Sequence, residues 1–148
     1  MADYILNEWI WADATGENGS AQQAEAFRLL KVLSEGGDRI IVVKGSSFFH
    51  KGWKLCVATA RPALEIAKFF KMQFLFNSDR CLLLDESELP ELPDALKQVK
   101  PDDQYLVRAH LKVGRAIVVT TDLPLKEILE EANIPCEIRS DFLRRYSI

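Results

Sequence analysis

The chain has 148 residues, 48% of them apolar and 28% charged, with a formal net charge of −3. These values fit an ordinary globular protein, one domain over residues 1–148 with a core of its own. No run approaches the roughly 20 apolar residues of a membrane span, and the overall acidic balance excludes a generic nucleic-acid coat protein while leaving room for a small nuclease.

In chain order, YILNEWIW (residues 4–11) is apolar and β-prone, a first strand ending near Asn7 or Glu8. The start MADYILNEW lacks the basic residues that open a signal peptide. ATGENGSA reads as a loop, with Ser20 suited to cap a helix over AQQAEAFRLLKVLSE that Gly36 and Gly37 stop. RIIVV (39–43) is a short apolar strand. SFFHKGWKLCVATA (47–60) and RPALEIAKFFKM (61–72) are helical, Pro62 being suited to a first turn. QFLFN and CLLLD are apolar runs that periodicity leaves open between helix and strand. DESELPELPD reads as an exposed acidic loop, and PDALKQV as the start of a short helix. PDDQYLVRAHLKVG is a helix from Pro101 to Gly114; AIVVTT is a strand, LPLKEILEEA a helix, and PCEIR a last short strand. Short apolar strands alternating with amphipathic helices predict a three-layer α/β/α fold around a mostly parallel, short-stranded sheet. Cys56, Cys81 and Cys136, odd in number and widely spaced, are expected to be buried free thiols of a cytoplasmic protein, with no zinc site.

Strand ends in open α/β sheets gather at one rim, where ligands sit. The polar residues expected there are Asn7 and Glu8, the Asp102–Asp103 pair, and Asp122. Each has a structural use as well. Asp122 suits a helix N-cap with Pro124 just inside, and Asp102 and Asp103 suit the positive end of a helix dipole. The charge runs unevenly along the chain. No Lys or Arg precedes Arg28; six basic residues face one acid, Glu65, between Lys44 and Lys71; acids prevail eight to three from Asp79 to Asp103. A basic flank beside an acidic centre is what a polyanion bound over metal ions requires.

PDDQYLVRAHLKVG followed by AIVVTTD resembles the C-terminal half of a PIN domain, the small α/β fold of metal-dependent ribonucleases. The helix pattern D-x-x-(I/L)-x-x-A falls on Asp103, Leu106 or Val107, and Ala109. The strand pattern (V/L)-T-x-D falls on Val119, Thr120, Thr121 and Asp122. YILNEW is similar to the family's opening strand, and the length and element order fit most of the chain. The resemblance implies an endoribonuclease that hydrolyses RNA phosphodiesters at a carboxylate-bound Mg²⁺ or Mn²⁺. Asp103 and Asp122 would be metal ligands, completed by Asn7 or Glu8. Lys51, Lys54 and His50 would bind the substrate backbone, and Thr120 or Thr121 would orient a ligand or water. Trp9, Trp11, Trp53, Phe48 and Phe49 are able to stack bases of a single strand. Phe69, Phe70, Phe74 and Phe76 suit a core or a dimer face, and His110 suits packing. The family further implies a homodimer and pairing with an antitoxin.

The chain departs from the family in two places. Asn7 stands where the first strand ordinarily ends in aspartate, and an amide holds a metal more weakly than a carboxylate. The acid expected after the second strand is absent, since no carboxylate lies between Asp38 and Glu65; Glu8, Asp13 or Glu17 remain as substitutes. Two other readings follow: a PIN-like module that binds RNA or a protein without cleaving, and, further off, a receiver-type phospho-acceptor domain, which wants an acidic pair after strand one.

Overall fold

A computed structural model of the chain describes residues 1–57 and 60–148. Strands β1 (Asp3–Leu6), β2 (Arg39–Lys44), β3 (Cys81–Asp85), β4 (Ile117–Thr120) and β5 (Cys136–Ile138) form one sheet in the order β3-β2-β1-β4-β5, with every neighbouring pair parallel. The three central strands read YIL, IIVV and IVV. Tyr4, Ile5, Leu6 and Ile40 to Val43 are all buried, as expected of strands covered by helices on both faces.

Seven α-helices connect and cover the sheet among the described residues: α1 (Trp9–Thr15), α2 (Ser20–Glu35), α3 (Ser47–Leu55), α4 (Arg61–Phe70), α5 (Gln104–Val113), α6 (Leu123–Glu131) and α7 (Arg139–Arg145). None of them is long and apolar enough to cross a membrane. The helices α1 to α4 pack against one another, while α5 lies on β1, β2 and β4. Right-handed crossovers put these groups on opposite faces, because the steps to β2 and β3 run one way from β1 and the step to β4 runs the other. The carboxyl ends of β1 and β4 therefore flank the point where strand order reverses, which in such sheets opens a ligand crevice.

Several local expectations are corrected. The first strand, expected to end near Asn7 or Glu8, stops at Leu6, and WIWADAT, where no helix is expected, is helix α1. Trp9 Nε1 donates to Val119 O at 2.9 Å and Trp11 Nε1 to Phe48 O at 3.0 Å. Burying the two indoles with their N–H groups satisfied overrides their β preference. Ser20 is the first residue of α2 rather than its cap, Gly19 taking that place at φ +99°. Gln73 to Leu75 of QFLFN belong to a π-helical turn (Lys71–Leu75) that continues α4, whereas CLLLD is β3. The acidic DESELPELPD stretch is not wholly exposed, since Leu89 plugs into the core. In the helix expected over 47–60, residues 58 and 59 lie outside the described residues. Helix α7 goes unforeseen by periodicity; its Phe142 packs on Tyr4 with ring centroids 4.8 Å apart.

Candidate active site

At the strand-order reversal a crevice of about 590 Å³ opens, lined by Asn7, Glu8, Lys51, Lys54, Asp103, Thr121 and Asp122, with Asp13, Glu17 and Arg139 toward its far end. Of the polar residues anticipated for the site, His50, Thr120 and Asp102 are not on its wall: Thr120 is fully buried beneath it and Asp102 faces a separate hollow with Ser46 and Arg108. The His50 ring is exposed on the outer side of α3, because one residue along a helix turns the side chain about 100° from Lys51.

Asp122 caps α6, its Oδ1 accepting from Leu125 N at 3.1 Å. Its own N–H donates to Thr120 Oγ1 at 3.1 Å. Thr120, fully buried, also accepts from Asn7 Nδ2 at 3.1 Å, so one hydroxyl joins the ends of β1 and β4. Thr121, next in sequence, points the other way and lines the crevice. Asp103 stands at the N-terminus of α5, where a capping carboxylate is expected, yet its side chain makes no cap bond. Its carboxyl is pushed above the ordinary aspartate range by burial first, then by the negative charges of Asp122 and Glu8. The three carboxylates thus act on one another across one space.

Glu8 reaches the crevice because the strand has already ended: residue 8 is helical, with φ −66° and ψ −8°. It forms an ion pair with Lys51 from α3. Asn7 Oδ1 accepts from Glu8 N at 2.8 Å, so both ends of its amide hold the turn in place. Ser46 starts α3 by accepting from Phe49 N at 3.2 Å while its hydroxyl donates to Val43 O, which sets the rotation that aims Lys51 and Lys54 inward.

Among the described residues no group of three or more His, Cys, Asp or Glu side chains is close enough to hold a metal as a set. Mg²⁺ does not require one, since it keeps several waters and is held by one or two carboxylates together with substrate phosphates. Asp103, Asp122 and Glu8 offer the hard oxygen donors that suit such an ion.

Arg139, just past β5, has no precedent in local sequence pattern. It donates to Asp13 Oδ2 at 2.8 Å and Glu25 Oε1 at 3.2 Å, and its guanidinium lies 5.5 Å from the Trp9 ring centroid. Asp13 is thereby neutralised and is not a free substitute ligand; Glu17 stays exposed on the crevice rim. Trp9 and Trp11, 7% and 2% exposed, and buried Phe48 cannot stack a base, which corrects the expectation for them. Phe70 and Phe74 are core, whereas Phe76 is exposed. His110 is a packing residue, its Nδ1 2.7 Å from Ala116 O. No protein-family model and no curated protein matches the chain.

Proposed function

We propose that the crevice is the active site of a PIN-like endoribonuclease that hydrolyses RNA phosphodiesters with Mg²⁺ or Mn²⁺. The observation that supports this reading is Asp103: an uncapped, half-buried carboxylate whose affinity for a proton is raised by burial first and then by the negative charges of Asp122 and Glu8. A site that draws protons by accumulated negative charge draws a small divalent cation by the same field.

Asp103 and the second oxygen of Asp122 would hold the ion, with Glu8 available once Lys51 is drawn away. When bound, the ion supplies neutralisation of phosphoryl charge and a water acidic enough to attack near neutral pH. The remaining work falls to the chain. Thr120 fixes Asp122 and Asn7 from beneath. Lys51 and Lys54 offer ammonium groups to substrate phosphates, and Thr121 presents a hydroxyl within the same wall.

A second reading, an RNA-binding module without cleavage, is favoured by one specific arrangement. Asn7 uses its amide within the turn, and Glu8 is already paired with Lys51, so the first strand contributes no free acid. Cleavage of fluorescent RNA in Mn²⁺, Mg²⁺ or EDTA separates the two. The nuclease reading expects metal-dependent cleavage lost in Asp103→Asn and Asp122→Asn, Asn retaining the cap oxygen in the latter. Binding without cleavage in folded wild type leaves the module.

A further inference from the structure

We propose that the outer face of α3, across the helix from the crevice, is a base-stacking subsite for single-stranded RNA centred on Trp53. This rests on the reading of the crevice as an RNA site. Helix α3 divides the two surfaces. Lys51 and Lys54 line the crevice, while Phe49 and Trp53 border the opposite side of the same helix with Lys71 from the π-helical turn.

Trp53 differs from the other tryptophans in being 46% exposed. Phe49 stacks on it at 5.9 Å between centroids and 16° between planes, which holds the indole upright. Lys71 Nζ lies 4.6 Å from the Trp53 centroid and 5.5 Å from that of exposed Phe76. Lys71 sits over the indole face, so a base that stacks there displaces the ammonium from the ring toward its own phosphate. An aromatic platform with cations at its edge is how sequence-tolerant single-strand sites are built.

Charge decides which partner the face fits. Six basic residues against one acid occupy Lys44 to Lys71, and that acid, Glu65, is itself 3.7 Å from Arg61. An apolar protein partner would have to strip water from Lys71 and from Lys68, whose charges both act on Cys56 at this face, at high cost for each unpaired ammonium. A polyanion keeps them paired. The nucleic acid must be single-stranded, because a duplex keeps its bases stacked inward and offers the indole none.

The test is fluorescence anisotropy in EDTA, which separates binding from cleavage, using a labelled single strand of about 12 nucleotides, within the span of known single-strand-binding modules of other folds, and its duplex. Trp53→Ala should weaken single-strand binding about tenfold, the loss typical of one stacked base, while Trp53→Phe retains most of it. Wild-type tryptophan emission should be quenched by the single strand much more than Trp53→Phe emission, since Trp9 and Trp11 are 7% and 2% exposed. Wild-type affinity in Trp53→Ala, or equal binding of the duplex, overturns the subsite. So does a change of self-association without a change in RNA affinity, which would make this face a protein contact. Metal-dependent cleavage alongside unaltered Trp53→Ala binding sinks the subsite and keeps the nuclease. Trp53-dependent binding with no cleavage does the reverse.

Discussion

Thr120 carries more of the site than its exposure suggests. Its Oγ1 accepts from both Asn7 Nδ2 and Asp122 N, so Thr120→Val leaves two donors without a partner while keeping shape. Both donors are part-buried at the crevice wall, so each loss costs toward the lower end of the about 1–3 kcal/mol of an unmet buried donor, and the melting temperature should fall by a few degrees for a chain of this size. Thr120→Ser, which keeps the hydroxyl, should restore most of the stability and any cleavage activity; thermal melts of both variants decide this, and a valine variant as stable as wild type would remove the hub. Asp103 gives the opposite sign. Its folded-state pKa is raised, so the fold is favoured with the carboxyl protonated below the ordinary aspartate range. That contribution is lost as pH rises through the raised folded value. Asp103→Asn should therefore melt above wild type at neutral pH in EDTA, with the gap closing in acid. Divalent cation at about 100 times its Kd should reverse the order, stabilising wild type by roughly 2.7 kcal/mol and leaving the variant little changed. Melts with and without Mg²⁺ across pH 3 to 8 read both effects. Asp103 and Asp122 were legible in the sequence because helix starts and strand ends follow local rules. Thr120 and Arg139 act on partners 113 and 126 residues away, and no local pattern encodes such a pairing.

At the scale of elements, α3 is placed by the absence of a side chain. A Cβ on Gly52 would stand 2.6 Å from the Trp11 ring, which is buried and tied to Phe48 O, so α3 meets α1 only at glycine. Alanine gains about 1 kcal/mol over glycine in a helix interior, but overpacking a fixed ring costs typically 1–3 kcal/mol. Gly52→Ala should thus be neutral to destabilising rather than stabilising. It should also weaken RNA binding, because pushing α3 outward carries Lys51 and Lys54 from the crevice. Denaturant melts and anisotropy on the variant test both halves, and a clear rise in stability with unchanged affinity would show that α1 yields. The same contact explains why α1 could not be read from WIWADAT. Two indoles in three residues favour a strand by local preference, and the helix is settled by hydrogen bonds to residues 37 and 110 positions away. The parallel strands were legible because a doubly covered sheet needs unbroken apolar runs. QFLFN and CLLLD carry similar composition, and only β2, which pairs Ile40 with Cys81 through Lys44 with Asp85, separates them.

For the molecule as a whole, the blocks of charge along the sequence become a polarity of the fold. At the amino edge of the sheet, Arg39 and Arg115 lie 2.9 and 3.5 Å from buried Asp3, which offsets them. At the carboxyl edge Glu8 and Asp122, just past β1 and β4, and Asp103, just before α5, meet the lysines of α3 across the crevice. A net charge of −3 therefore coexists with a cationic face suited to a polyanion. If single-stranded RNA crosses that face on Lys51, Lys54 and Lys71, three phosphates are neutralised. The logarithm of the affinity should then fall with the logarithm of salt at a slope near −2, from roughly −0.7 per contact on single strands. Alanine at any one of the three should flatten the slope by about 0.7. Lys112, in the last turn of α5 and so at the amino edge, should leave the slope unchanged when replaced. Binding titrations from low to physiological salt measure all four variants against wild type. A slope insensitive to the three lysines, or one that responds equally to Lys112→Ala, would mean that RNA is held by the field of the whole protein and not by α3.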